Sequence, residues 1–123
     1  MSVIVRDDGF HTEDYAGDKV IDIASDTQPG ALPDVTGAEL ITVAFPAFSD
    51  GRGFTLARHL RTKGYAGRLR AKGHVIADQY AMARRAGFDE VEISDDLAAR
   101  QPADQWLYRA DWKAHDYRSR LRV

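Results

Sequence analysis

Between residues 40 and 100 the hydrophobic pattern changes period several times. Leu40-Ile41-Thr42-Val43-Ala44-Phe45 is a nearly continuous apolar run of strand length, the pattern of a buried strand. From Phe54 to Lys63 the period is helical, with Phe54, Ala57 and Leu60 on one face and Arg58 and Arg61 on another. Gly64 closes that helix as a C-cap. Gly67-Arg68-Leu69-Arg70-Ala71-Lys72-Gly73 reads as a short strand with its turns. A second helix runs from Val75 or Ile76 to Ala86 and is closed by Gly87. Val91-Glu92-Ile93 is a third strand, and Asp95-Asp96-Leu97-Ala98-Ala99-Arg100 opens another helix. Strand and helix alternating across short loops imply right-handed crossovers and parallel pairing.

The flanks are less regular. Residues 3–6 and 19–24 are short and β-branched, as strands are, with turn-forming residues between them. An N-terminal hairpin or an extended arm follows. Pro29, Gly30, Pro33 and Gly37 make 25–38 mostly loop, with a short turn near Gly30-Ala31-Leu32. From Gln105 to Val123, Trp106, Tyr108, Trp112 and Tyr117 alternate with Arg109, Lys113, Arg118, Arg120 and Arg122, the pattern of a final helix followed by a basic end. The expected fold is a small single α/β domain over residues 1–123, with N-terminal strands and loop to residue 38 and a βαβαβ core over 40–100. The central strands are parallel, in an open sheet or a partial (β/α)-barrel. With 123 residues the chain is too short for an eight-fold barrel of about 250.

Composition narrows the chemistry. Hydrophobic residues at 44% and charged residues at 29% fit a soluble globular protein. No apolar run approaches the roughly 20 residues that span a bilayer, and the N-terminus lacks a basic and then apolar leader. The expected location is the cytoplasm, with no membrane partner. There is no cysteine, which removes disulfides, thiolate catalysis and cysteine-held iron–sulfur or zinc sites. His11, His59 and His115 have no ligand spacing, so no metal is assigned, and no cofactor is implied. A net charge of −2 gives no reason to expect nucleic acid. The aromatic and basic tail invites that reading, but packing of Trp106 and Trp112 on a sheet face, with a basic end for a protein partner, explains it better.

In parallel sheets ligands gather at the carboxyl ends of the strands. Three sets of residues fall there. The first is Ser49, Asp50, Gly51, Arg52, Gly53 and Thr55; the second is Lys72, Gly73, His74, Asp78 and Gln79; the third is Ser94, Asp95 and Asp96. Asp50-Gly51-Arg52-Gly53 stands where a helix begins, with free N–H groups and a partial positive charge. Arg52 suits a carboxylate, phosphate or sulfur oxyanion. The same residues also read as structure only: Ser49 or Asp50 caps the helix, the glycines shape the turn, and Arg52 pairs with an acid. The loop lacks the Gly-Lys-Ser/Thr ending of a P-loop and the third glycine of a dinucleotide fingerprint. His74 offers a proton donor or an anion contact, and Asp78 and Gln79 would face the loop from the next helix. Together Asp50, Gly51, Arg52, Gly53, His74, Asp78 and Gln79 make the candidate anion site; no catalytic residue is assigned.

Over residues 40–93 the chain resembles a bacterial family. The resemblance is carried by Phe45-Pro46-Ala47-Phe48-Ser49-Asp50-Gly51-Arg52-Gly53-Phe54-Thr55, by Ala57-Arg58-His59-Leu60-Arg61, by Leu69-Arg70-Ala71-Lys72-Gly73, by Asp78-Gln79 and by Arg84-Arg85-Ala86-Gly87-Phe88-Asp89. It is a domain-of-unknown-function family of small proteins, commonly encoded beside assimilatory sulfite reductase and often described as oxidoreductases of sulfite reduction. The family pattern often has a cysteine where this chain has Ala86, so a thiol there is not essential to this protein. The resemblance implies an auxiliary protein of sulfur assimilation, docking on the reductase or its electron donor, or binding a sulfur oxyanion. Two other readings stay open: an enzyme with a phosphate or anion site at the Asp50–Gly53 loop and His74/Asp78 as acid–base pair, and a structural binding module without catalysis.

Overall fold

The computed structural model describes residues 2–108 and residue 110. Strand β1 (Ser2–Arg6) turns back through Asp7-Asp8 into β2 (Gly9–His11), forming the N-terminal hairpin. Strand β3 (Val20–Ile23) is not part of it. It lies at the opposite edge and pairs in parallel with β4 (Leu40–Phe45). Helix α1 (Arg52–Thr62) leads to β5 (Arg68–Gly73), and a 3₁₀ turn at Ala77–Gln79 runs into α2 (Tyr80–Ala86). After β6 (Glu90–Ser94) come two short helices, α3 (Asp95–Arg100) and α4 (Ala103–Tyr108). The six strands form one open sheet in the order β2-β1-β6-β5-β4-β3. The expected α/β fold is therefore present as an open sheet. The basic end and Trp112 fall outside the described residues.

Strands β3 to β6 are laid down as consecutive neighbours, all parallel. Right-handed crossovers that always step the same way put every connection on one face. That face holds the core. Ile41, Val43 and Phe45 of β4, Leu69 and Ala71 of β5, and Val91 and Ile93 of β6 share one cluster with Leu56 and Leu60 of α1, Ala83 of α2 and Trp106 of α4. Phe45 is its hub, with the Phe54 ring at 5.0 Å and the Phe88 ring at 5.8 Å, both tilted or edge-on, as aromatic quadrupoles prefer. Trp106 packs edge-on against Tyr80 at 6.0 Å, and its indole N–H donates to the Gln101 carbonyl, so the expected burial of Trp106 is met within the helical layer.

Alternate residues of the same strands point the other way, and there the chemistry inverts. Asp22, Thr42, Arg70 and Glu90 form one row across the sheet; Ala44, Lys72 and Glu92 form the next. Arg70 and Glu90 are each 2% exposed in their side chains and 2.6 Å apart. Arg68 and Arg6 also hold Glu90, at 2.9 and 3.1 Å. From the segment after β2, Glu13 bonds Arg70, and Asp14 bonds both Arg6 and Arg68. These arginine donors pull the Glu13 and Asp14 carboxyls below their usual values. Residues 12–18 are thus an acidic strap across the lower half of the sheet. Its upper half carries no described helix.

Candidate functional site

The parallel strands end on one rim, followed by the segments 24–28, 46–51, 74–76 and the start of α3. The mouth between β4 and β5 is tight. Gly73 pairs with Phe45, and His74 N–H donates to the Phe45 carbonyl at 2.8 Å. Gly73 has φ +124°, and a Cβ there would stand 2.5 Å from that carbonyl oxygen, so only glycine fits. Gly53 is fixed by packing instead: a Cβ would lie 2.4 Å from the Phe45 ring. Gly51 has open space around it and an ordinary φ of −88°.

The loop from Pro46 to Gly51 is braced at two points. Asp50 N–H donates to the Ala47 carbonyl at 3.0 Å. Gln79 Nε2 donates to the Phe48 carbonyl at 2.5 Å, while its Oε1 accepts from the Ile76 N–H at 3.1 Å. Gln79 therefore pins this loop to the start of α2.

The capping expectation is met in part: Gly51, not Ser49 or Asp50, is the N-cap of α1 and no side chain caps it, while Arg52 does pair with an acid, Asp50. Its Oδ1 accepts from the Arg52 N–H at 3.1 Å and from Arg52 Nε at 3.0 Å, and its Oδ2 accepts from Arg52 Nη2 at 2.8 Å. Arg52 side-chain donors first, and its backbone N–H second, lower the Asp50 carboxyl to about 2. The second Nη2 hydrogen reaches Ser25 Oγ at 3.3 Å. A guanidinium has five N–H groups; no described residue accepts from Nη1, and the Arg52 side chain is 59% exposed. It borders a cavity of about 230 Å³ with Ser25, Asp26, Thr27, Thr55 and Leu56.

The remaining site residues diverge. His74 is exposed and lines a trough of about 540 Å³ on the sheet face opposite the helices, with Asp22, Thr42, Ala44 and Lys72. Asp78 is exposed and lines a third cavity, of about 370 Å³, with Asp104, Gln105 and Tyr108 of α4. Asp50, Gly51, Arg52 and Gly53 are contiguous, and Gln79 joins them through Phe48. The side chains of Arg52, His74 and Asp78 open into three separate cavities. Ser94 N-caps α3 by accepting from the Leu97 N–H, with Asp95 and Asp96 in the favourable first turn.

Pattern reading passes over Ser25, Asp26 and Thr27, which the structure sets beside Arg52. Their signal was the strand before them: once β3 is a parallel neighbour of β4, its carboxyl end lies on the same rim.

The sequence signature of a family of bacterial proteins of unknown function, DUF934, matches residues 20–119. The chain belongs to this family. The DUF934 match takes in β3 to α4, the rim and the Arg52 cavity, and leaves out the β1–β2 hairpin and the acidic strap. No curated protein and no solved structure matches the chain. Among the described residues no helix is long and apolar enough to cross a membrane.

Proposed function

We propose that this protein is an auxiliary factor of assimilatory sulfite reduction that docks, through the Arg52 rim, on the reductase or its electron donor. The pathway comes from the family resemblance of residues 40–93. The mode of action comes from one observation: Arg52 is held by Asp50 yet keeps its Nη1 edge unclaimed among the described residues, its side chain 59% exposed at the border of a cavity of about 230 Å³. A braced, exposed guanidinium suits a carboxylate on a partner protein, where orientation matters more than enclosure. The Phe48 turn, braced by Gln79, precedes it in the same loop and supplies the rest of the contact.

Binding of purified assimilatory sulfite reductase, and of its electron donor, to wild type and to Arg52→Ala tests this reading. Binding by wild type that is lost in the variant supports it; equal binding, or none to either protein, removes it.

A second reading draws on the hydroxyls of Ser25, Thr27 and Thr55 around Arg52, which suit a small sulfur oxyanion. Titration with sulfite, sulfate and phosphate separates the two. Saturable sulfite binding that needs Arg52 favours the oxyanion; reductase binding without it favours docking.

A further inference from the structure

Of the five phenylalanines, Phe45, Phe54 and Phe88 make the aromatic hub of the core. Phe48 follows Phe45 by three positions and is 60% exposed. A single exposed apolar side chain is ordinary on a protein surface. What sets Phe48 apart is how it is held. The Asp50 N–H closes a turn on the Ala47 carbonyl, which leaves Phe48 and Ser49 at the tip. Pro46 restricts the backbone just before the turn. The tip is then tied down: Gln79 Nε2 donates to the Phe48 carbonyl, and Gln79 is itself fixed by the Ile76 N–H on its Oε1. These bonds hold the backbone and leave the ring in water. A tip braced in this way has lost its backbone freedom before a partner arrives, and a phenyl ring has only two torsions left to order.

Two further side chains extend the surface. Arg52 comes four positions later in the same loop, at most about 14 Å along the chain, with its Nη1 edge unclaimed among the described residues. Met82, three positions after Gln79 in the helical run and so on the same side of it, is 48% exposed. Aromatic residues, methionine and arginine are the types enriched in protein interfaces.

We infer that Phe48 is the anchor of the docking surface, and that the partner offers an apolar pocket deep enough for a phenyl ring, with a carboxylate at its edge for Arg52. The inference rests on the docking reading of the Arg52 rim and names what the partner presents there. The two residues have different tasks. Arg52, charged and exposed, steers the approach and fixes orientation; the Phe48 ring, desolvated in the pocket, sets how long the complex lasts. A small oxyanion would satisfy Arg52 and leave Phe48 without a role.

The experiment measures association and dissociation rates of purified assimilatory sulfite reductase, and of its electron donor, on the immobilised full chain at low and high salt. Phe48→Ala is expected to weaken binding about thirtyfold, nearly all of it in faster dissociation and with the salt dependence unchanged. Phe48→Leu, which keeps apolar bulk, recovers part of the loss. Arg52→Ala instead slows association and flattens the salt dependence. The melting temperature of Phe48→Ala is expected to match wild type. Binding that needs Arg52 but is indifferent to Phe48→Ala overturns the anchor and leaves the docking reading standing. A lowered melting temperature in both Phe48 variants means that the ring packs on its own chain, and overturns the anchor too. Wild type that binds neither protein removes the docking reading and the anchor with it.

Discussion

Arg70 and Arg52 stand on one sheet and are used in opposite ways. Arg70, within β5, is 2% exposed and gives its donors to Glu13, Glu90 and Glu92. Arg52, at the rim, is 59% exposed and keeps one edge unclaimed among the described residues. Arg61 sides with Arg70. It donates to the carbonyls of Tyr65, Gly67 and Gly87 and to Asp89, tying the C-terminal ends of α1 and α2 to the loops beside them. A guanidinium with every nitrogen matched by the protein's own acceptors is part of the scaffold. One held rigid but left half-matched is free to recognise something else. The lower half of the molecule is closed electrostatically; the upper rim is open.

The largest expected effect lies in the closed half. Arg70→Ala should destabilise the fold by about 3 kcal/mol in urea unfolding, the lower end for a broken buried ion pair, because Arg68 and Arg6 still hold Glu90. A change near zero would mean that the network is ornamental. Next comes Gly73→Ala, at the seam between the halves. Its positive φ and the close Phe45 carbonyl predict a loss of about 1–3 kcal/mol, read in the same way.

Acid should then separate the regions. Glu13 and Asp14 have folded-state pKa values below their unfolded ones, so the unfolded chain binds more protons at low pH. Their contribution is complete above the unfolded values, near 4.5 and 3.8, and is lost as pH falls through the lower folded ones. Hydrogen exchange across residues 12–18 should rise over that window, and Glu13→Gln/Asp14→Asn should show the raised exchange already at neutral pH. Asp50 follows the same sign between 3.8 and about 2, and acts only on the rim loop. The smallest effect on stability is that of Arg52→Ala: a nearly unchanged melting temperature, since the pair it makes with Asp50 is confined to the rim loop.

The helical face was legible in the sequence because its residues obey one rule. Leu40–Phe45, the helix after Gly53, the glycine caps and Val91–Ile93 each have the period or punctuation of the element they form. The hairpin was legible in kind but not in detail. Gly9–His11 is too short to show a period, and β3 finds its partner across the sheet, a choice made by tertiary pairing. The arginine network was invisible for a related reason. With Arg58 and Arg61, Arg68 and Arg70 have the pattern of a solvated basic face, and only the strap acids, more than fifty positions away, engage Arg68 and Arg70 from across the sheet. At the rim, Asp50 and Arg52 were recognisable as a helix start with chemistry, whereas their separation from His74 and Asp78 depends on side-chain directions that spacing does not encode.

The central claim, that the open rim rather than the closed network is what the protein presents to its pathway, is tested most directly by measuring the affinity of purified assimilatory sulfite reductase and its electron donor for wild type and Arg52→Ala side by side, with melting temperature as the control. The account predicts binding by wild type, at least a tenfold loss in the variant, and superimposable melting curves. Equal affinity for both proteins, or a loss matched by a lower melting temperature, would contradict it.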